Sequence, residues 1–220
     1  MEVKMKIALV YTGAGVITNL SKIAREMYPD SEIMNLLDDT LIGDCMKAGY
    51  MTKDVELRLI NIFQYAYHAG ADYILLTCSS VGDAADLGNS LVPVPIIRID
   101  QPMCEAAIST AETIGVVGSL STTLEPTSNF VQKLADIKGK KINIERGLAK
   151  GAYEAGVAGN FVLHDKLIEE TAIELSDKCD AIILAQASMA RMEERLAAVT
   201  GKKVFSSPVS GIAQIKNYIL

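Results

Sequence analysis

The sequence predicts an α/β protein of two pseudo-symmetric, doubly wound parallel-sheet lobes with a cleft between them. Three observations carry this expectation. Short apolar runs alternate with segments whose apolar residues recur at helix spacing, the pattern of strands covered by helices. The run Tyr73-Ile74-Leu75-Leu76 is apolar throughout, as suits a strand buried on both faces of a parallel sheet. The same order of segments also occurs twice. Lys6-Ile7-Ala8-Leu9-Val10 with its Thr/Gly turn matches Thr113-Ile114-Gly115-Val116-Val117 with its Gly/Ser/Thr turn, and 69–78 matches 176–186. The first lobe is expected to comprise 1–98 plus 207–220 and to carry Cys78, with 99–206 as the second.

In chain order, 6–10 reads as a strand, followed by Tyr11-Thr12-Gly13-Ala14-Gly15 and a helix over 18–27. The third glycine of a dinucleotide fingerprint is replaced by Thr18, so these glycines either admit a small ligand close to the backbone or simply make the turn. A strand over 31–36 leads to a mixed, turn-prone stretch at 41–51, read as a flap over the cleft. Val55, Leu59, Ile62, Phe63 and Ala66 predict a helix over 54–68, with His68 as a structural residue at its carboxyl end. The strand at 73–76 then runs into Thr77-Cys78-Ser79-Ser80-Val81-Gly82, and helical sequence resumes at Asp83. An edge-like strand lies within 93–100, and Pro102 opens a helix with Cys104 in its first turn. The second half continues with a strand at 114–117, a hydroxyl-rich turn at 118–123 and a helix over 126–135. After a strand at 141–145 comes a glycine-rich loop or mobile cover at 147–159. A helix over 161–178, a strand at 181–184, a turn at 185–188, a helix over 189–199, a strand at 203–205 and a helix over 209–218 complete the chain.

Composition narrows the function. Among 220 residues, 50% are hydrophobic and 22% charged, and the net charge is −6. That balance argues against nucleic acid or an acidic membrane as partner, so an anionic substrate needs local donors. No apolar run approaches the ~18–20 residues that cross a bilayer, and no signal peptide is read in the leading residues; a cytoplasmic location is expected. Four cysteines, at 45, 78, 104 and 179, are widely spaced, and the histidines are His68 and His164 alone. Neither a zinc site nor a disulfide is expected.

Cys78 is the leading candidate for chemistry. It sits where a strand ends and a helix is expected to begin, at the carboxyl edge of the sheet where open α/β folds bind ligands. A helix amino terminus there would lower a thiol's pKa and hold a carboxylate, although a buried structural cysteine is the competing reading. The hydroxyls of Ser79, Ser80, Ser119 and Thr122 are either helix caps or ligand contacts.

Residues 75–82, Arg98-Ile99-Asp100-Gln101-Pro102-Met103, 115–123 and 182–189 together resemble the aspartate/glutamate/hydantoin racemase superfamily over nearly the whole chain. The resemblance implies two α/β lobes around an active-site cleft, with neither pyridoxal phosphate nor metal as cofactor. It also implies a thiol from each lobe flanking the α-carbon of a small carboxylate or amino acid. Cys78 matches the first-lobe thiol, as thiolate base or nucleophile. Ser79 and Ser80 match the carboxylate-binding positions beside it; Ser119 and Thr122 are expected as further donors, and Thr12, Gln186 and Ser188 as further substrate-binding residues. The second-lobe thiol position is held by Gln186, or by neighbouring Ala187 or Ser188 if the loop shifts, and Gln exchanges no proton in a useful pH range. Two-base racemisation is therefore in doubt, and Cys179, seven residues earlier and before the strand, reads as packing. The alternatives are a single-cysteine decarboxylase, a cis-trans isomerase of the same superfamily, or a non-catalytic small-carboxylate-binding protein. Homodimers are common among such small two-lobed proteins.

Overall fold

The computed structural model describes residues 4–219. The chain divides into two compact units, Met1–Ile99 with Pro208–Leu220, and Asp100–Ser207. The expectation that the leading residues form no signal peptide falls partly on 1–3, outside the described residues. Among the described residues, no helix is long and apolar enough to cross a membrane.

The first unit runs β1 (Lys6–Tyr11), α1 (Ile17–Met27), β2 (Glu32–Leu37), α2 (Leu41–Ala48), α3 (Lys53–His68), β3 (Tyr73–Leu76), α4 (Ala84–Leu91) and β4 (Ile96–Arg98). The second runs α5 (Gln101–Thr110), β5 (Thr113–Gly118), α6 (Ser121–Ile137), β6 (Asn143–Leu148), α7 (Ala152–Val157), α8 (Phe161–Ser176), β7 (Ala181–Leu184), α9 (Glu193–Thr200) and β8 (Lys203–Phe205). A last helix, α10 (Pro208–Ala213), belongs to the first unit. Each unit holds a four-stranded parallel sheet, ordered β2-β1-β3-β4 and β6-β5-β7-β8. Helices cover both faces, so the inner strands β3 and β7 are apolar on both sides. The first unit accordingly has two cores, one around Phe63, Leu59 and Ile74, the other around Leu9, Leu75, Ile97 and Ile212.

The repeat extends to the hydrogen bonds. Asp72, just before β3, accepts from the N–H of Lys6 at 2.7 Å, and Asp180, just before β7, accepts from Thr113 at 2.8 Å and Glu112 at 3.1 Å. Each carboxylate ties the start of the first strand of its sheet to that strand's neighbour. Capping follows the sequence as well: Thr52 Oγ1 accepts from Val55 N at the start of α3, and Asn160 Oδ1 from Leu163 N at the start of α8.

Four local expectations are corrected. Residues 41–48 form α2 rather than a flap of turns. Leu41 and Cys45, one helical turn apart, are both buried, and Gly49 ends the helix at φ 83°. Arg58 of α3 holds this helix through Asp44, at 2.5 Å. The glycine-rich stretch 147–159 continues β6 to Leu148 and then forms α7, whose Ala152 and Ala155 are small enough to bury without an apolar stripe. α6 begins at Ser121, not at Pro126; the hydroxylated residues form the first turn and the proline lies within the helix. The helices expected at 189–199 and 209–218 each divide, with 3-10 turns at Ala187–Met192 before α9 and Gln214–Tyr218 after α10.

An ion-pair cluster fastens α8 to the 3-10 turn before α9. Asp165 pairs with Arg191 and contacts His164 Nδ1 at 2.7 Å. Burial raises the Asp165 pKa, but its bonds to Arg191 and His164 outweigh this and hold it below the ordinary carboxylate value. A depressed folded pKa adds stability above the unfolded value near ~4, and that stability is lost as pH falls through the folded value. Asp165→Asn is therefore expected to lower the thermal midpoint at pH 7, with the gap from wild type closing below about pH 4. Melting curves of both proteins from pH 7 to pH 3 check this; a gap independent of pH would contradict it.

Candidate functional site

In the first unit, Val10 of β1 pairs with Leu76 of β3, and Thr77 fixes the exit of β3 by donating through N–H (3.0 Å) and hydroxyl (2.8 Å) to the Val10 carbonyl. Thr12 and Cys78, each two residues beyond that pair, therefore leave the same sheet edge on neighbouring strands. Cys78 is extended (φ −127°, ψ 117°) and leads into a 3-10 turn, Ser79–Val81. Its carbonyl accepts from Val81 N and that of Ser79 from Gly82 N. Thr12, Ser79 and Ser80 are all buried.

This corrects the electrostatic expectation for Cys78. The α-helix that follows starts only at Ala84, behind Asp83. A three-residue 3-10 turn carries little macrodipole, so any donors near the sulfur come from individual N–H groups and side chains rather than a helix end.

The thiols separate clearly by environment. Cys45, Cys104 and Cys179 are buried, whereas Cys78 is half-buried. Burial, followed by the nearby Cys78 and Asp44, pushes the Cys45 thiol up to about 11. Burial likewise raises Cys179, whose Sγ would lie 2.8 Å from a Cβ on Gly115, so this cysteine packs under β5. Cys104 lies in the core of the second unit with Ile108 and Ile114, not at a sheet edge.

The second unit repeats the same geometry with different chemistry. Val117 of β5 pairs with Leu184 of β7, so Ser119 and Gln186 stand where Thr12 and Cys78 stand in the first unit. Gln186 has nearly the backbone of Cys78 (φ −120°, ψ 133°) and also leads into a 3-10 turn. Its Oε1 accepts from Ser119 N at 2.7 Å and Ser119 Oγ at 2.9 Å. A backbone N–H can only donate, which fixes the amide orientation: the oxygen faces Ser119 and the NH2 group lies on the other side. Ser119 thereby orients Gln186. Thr122, in the first turn of α6, is 5% exposed and its Oγ1 has no hydrogen-bond partner. Ser188 is exposed on the turn after Gln186.

One residue absent from the sequence-based candidates stands against the turn that Cys78 opens. Arg98 ends β4, next to β3 through its pairing with Leu76, and is 4% exposed. Its Nη1 donates to Asp83 Oδ1 at 2.7 Å. A single charge in the run Ile96-Ile97-Arg98-Ile99 was the available signal. Among the described residues, no group of three or more His, Cys, Asp or Glu side chains could hold a metal ion.

The model of the Asp/Glu/hydantoin racemase family matches residues 10–215. The chain belongs to this family. Solved structures agree in fold. A glutamate racemase isoform from Bacillus anthracis is 14% identical, with a TM-score of 0.79, over 100% of this chain and 82% of that one. A glutamate racemase from Francisella tularensis in complex with D-glutamate is 13% identical at TM-score 0.78, over 98% and 81% of the two chains. An allantoin racemase from Klebsiella pneumoniae is 14% identical at TM-score 0.72, over 98% and 88%. No sequence among curated proteins matches the chain.

Proposed function

We propose that the protein is a cofactor-independent enzyme acting at the α-carbon of a small carboxylate or amino acid, with Cys78 as the thiolate base and the sole catalytic thiol. The observation that carries this reading is the contrast between two equivalent positions. The first unit places a half-buried thiol two residues beyond β3, and the second places a carboxamide two residues beyond β7. Family membership and the glutamate racemases among the structural neighbours support the substrate class.

The chemistry follows from what these groups can do. The Cys78 thiolate takes the α-proton, its S–H bond forming as the Cα–H electron pair moves into an enediolate. Negative charge then develops on the carboxylate oxygens and needs fixed donors. Ser79 and Ser80 supply N–H and hydroxyl donors beside the thiol. At the second unit's own sheet edge, the Gln186 NH2 group and the unpartnered Thr122 hydroxyl are donors that suit a carboxylate. A buried hydroxyl without a partner costs about 1–3 kcal/mol, which a bound acceptor offsets. Protonation returns from Cys78, on the face it left. A carbanion formed by loss of carbon dioxide would be protonated once by the same thiol, so a malonate is a relevant substrate alongside amino acids.

Proton NMR in deuterium oxide tests the reading with both enantiomers of aspartate and glutamate, hydantoins, malonates and maleate. Expected is Cys78-dependent loss of one α-proton signal, or loss of carbon dioxide. Ligand binding with no turnover across the panel would favour a non-catalytic binding protein. Gln186→Glu keeps the acceptor for Ser119 and replaces the NH2 donor by a negative oxygen. It is expected to raise the KM for a carboxylate substrate by about tenfold or more, which steady-state kinetics would measure.

A further inference from the structure

We infer that Arg98 is a positioning residue of the Cys78 turn, holding residues 78–83 in the shape that favours a carboxylate beside the thiol. The inference rests on the role given to Cys78 above. The guanidinium lies flat over Gly82: a Cβ there would fall 2.3 Å from Nη2, 2.4 Å from Cζ and 2.7 Å from Nε. Only a residue without a side chain lets the arginine approach the turn this closely. The next residue, Asp83, receives Nη1, so the plate is pinned to the turn at both its face and its edge. Its backbone is fixed from behind, where Gln214 Nε2 donates to the Arg98 carbonyl at 2.7 Å.

The second unit provides an internal comparison. Ala190 stands four residues after Gln186, as Gly82 stands four after Cys78. Ser206, following the Phe205 that pairs with Ile183, stands in the place of Arg98. There the residue after β8 is tied to the start of α9 by a hydroxyl, Ser206 donating to Glu193. A buried cation costs several kcal/mol of desolvation before its partners offset it. The second unit therefore makes this connection through a hydroxyl and a carboxylate, whereas the first uses an arginine, with the glycine that admits it, on the turn that Cys78 opens. Arginine suits the task through its planar fork of donors, which lysine lacks.

The test compares alkylation of Cys78 by iodoacetate, which carries a carboxylate, and by neutral iodoacetamide. It is read by mass spectrometry in the intact protein, with circular dichroism to confirm folding. A merely structural role would change both rates together. In Arg98→Met the ratio of iodoacetate to iodoacetamide rates is expected to fall about tenfold, with partial recovery in Arg98→Lys. Asp83→Asn, at an exposed position, keeps the guanidinium and is expected to lower the ratio a few-fold. Ratios within about twofold of wild type in folded Arg98→Lys and Asp83→Asn would overturn the inference even if Arg98→Met fails to fold. A wild-type Cys78 no faster than glutathione, with a ratio that still falls in the variants, would contradict the base role while supporting that of Arg98.

Discussion

Cys78→Ala is expected to lower the rate of α-hydrogen exchange by about a thousandfold or more, the scale on which a positioned general base acts. The thermal midpoint should hardly move, because the thiol is half-buried and its side chain caps nothing. Cys78→Ser should be almost as slow, since a hydroxyl of similar size is a far weaker acid than a thiol and supplies no anion near neutral pH. Single alanine variants at Cys45, Cys104 and Cys179 should lose stability instead, because each thiol is buried in a core. Exchange rates and melting curves on the four alanine variants separate the two kinds of cysteine. A Cys78→Ala protein that exchanges at the wild-type rate would remove the thiol from the chemistry.

Gly211→Ala is expected to be among the most damaging small substitutions in the first unit. A Cβ at this position of α10 would lie 2.2 Å from the Ile99 carbonyl oxygen and 2.9 Å from its carbon. Both neighbours are backbone and cannot rotate away, so helix and strand must separate. The cost is about 3 kcal/mol, near the upper end for overpacking, or roughly 10 °C in thermal midpoint for a chain of this size. The displacement also reaches the site, because Gln214, on the turn after α10, holds the Arg98 carbonyl. The selectivity of Cys78 for iodoacetate should fall with stability. Gly43→Ala is the control: nothing lies within 4 Å of its Cβ, and alanine in α2 should stabilise slightly. Equal midpoints for the two variants would contradict this account of α10.

The strand runs, their repetition and the edge position of Cys78 were legible because they rest on patterns that need no tertiary partner. An apolar run such as Ile182-Ile183-Leu184 has few alternatives to a buried parallel strand. The misread segments all depend on contacts remote in sequence. α2 has only Leu41 and Cys45 to bury and is held by Arg58 from the next helix, so its own pattern is too short to show. α7 buries alanines, which carry little periodic signal. Pro126 suggested a helix start, yet α6 accepts it inside the helix after a first turn built from Ser121, Thr122 and Thr123. At the site, the orientation of Gln186 follows from a donor 67 residues away in sequence, and the plate formed by Arg98 depends on a glycine in another loop. Sequence identifies which residues could do chemistry; the hydrogen bonds decide which of their atoms remain for a ligand.

The most direct test of the central claim is the stereochemistry of exchange. A substrate found by the NMR panel would be incubated in deuterium oxide, and deuterium content and enantiomeric composition followed in the same samples. With one thiol and a carboxamide at the equivalent position, deuterium should enter the α-carbon while configuration is retained. Loss of configuration at the same rate as deuterium uptake would contradict this, and would mean that a second acid–base group serves the opposite face.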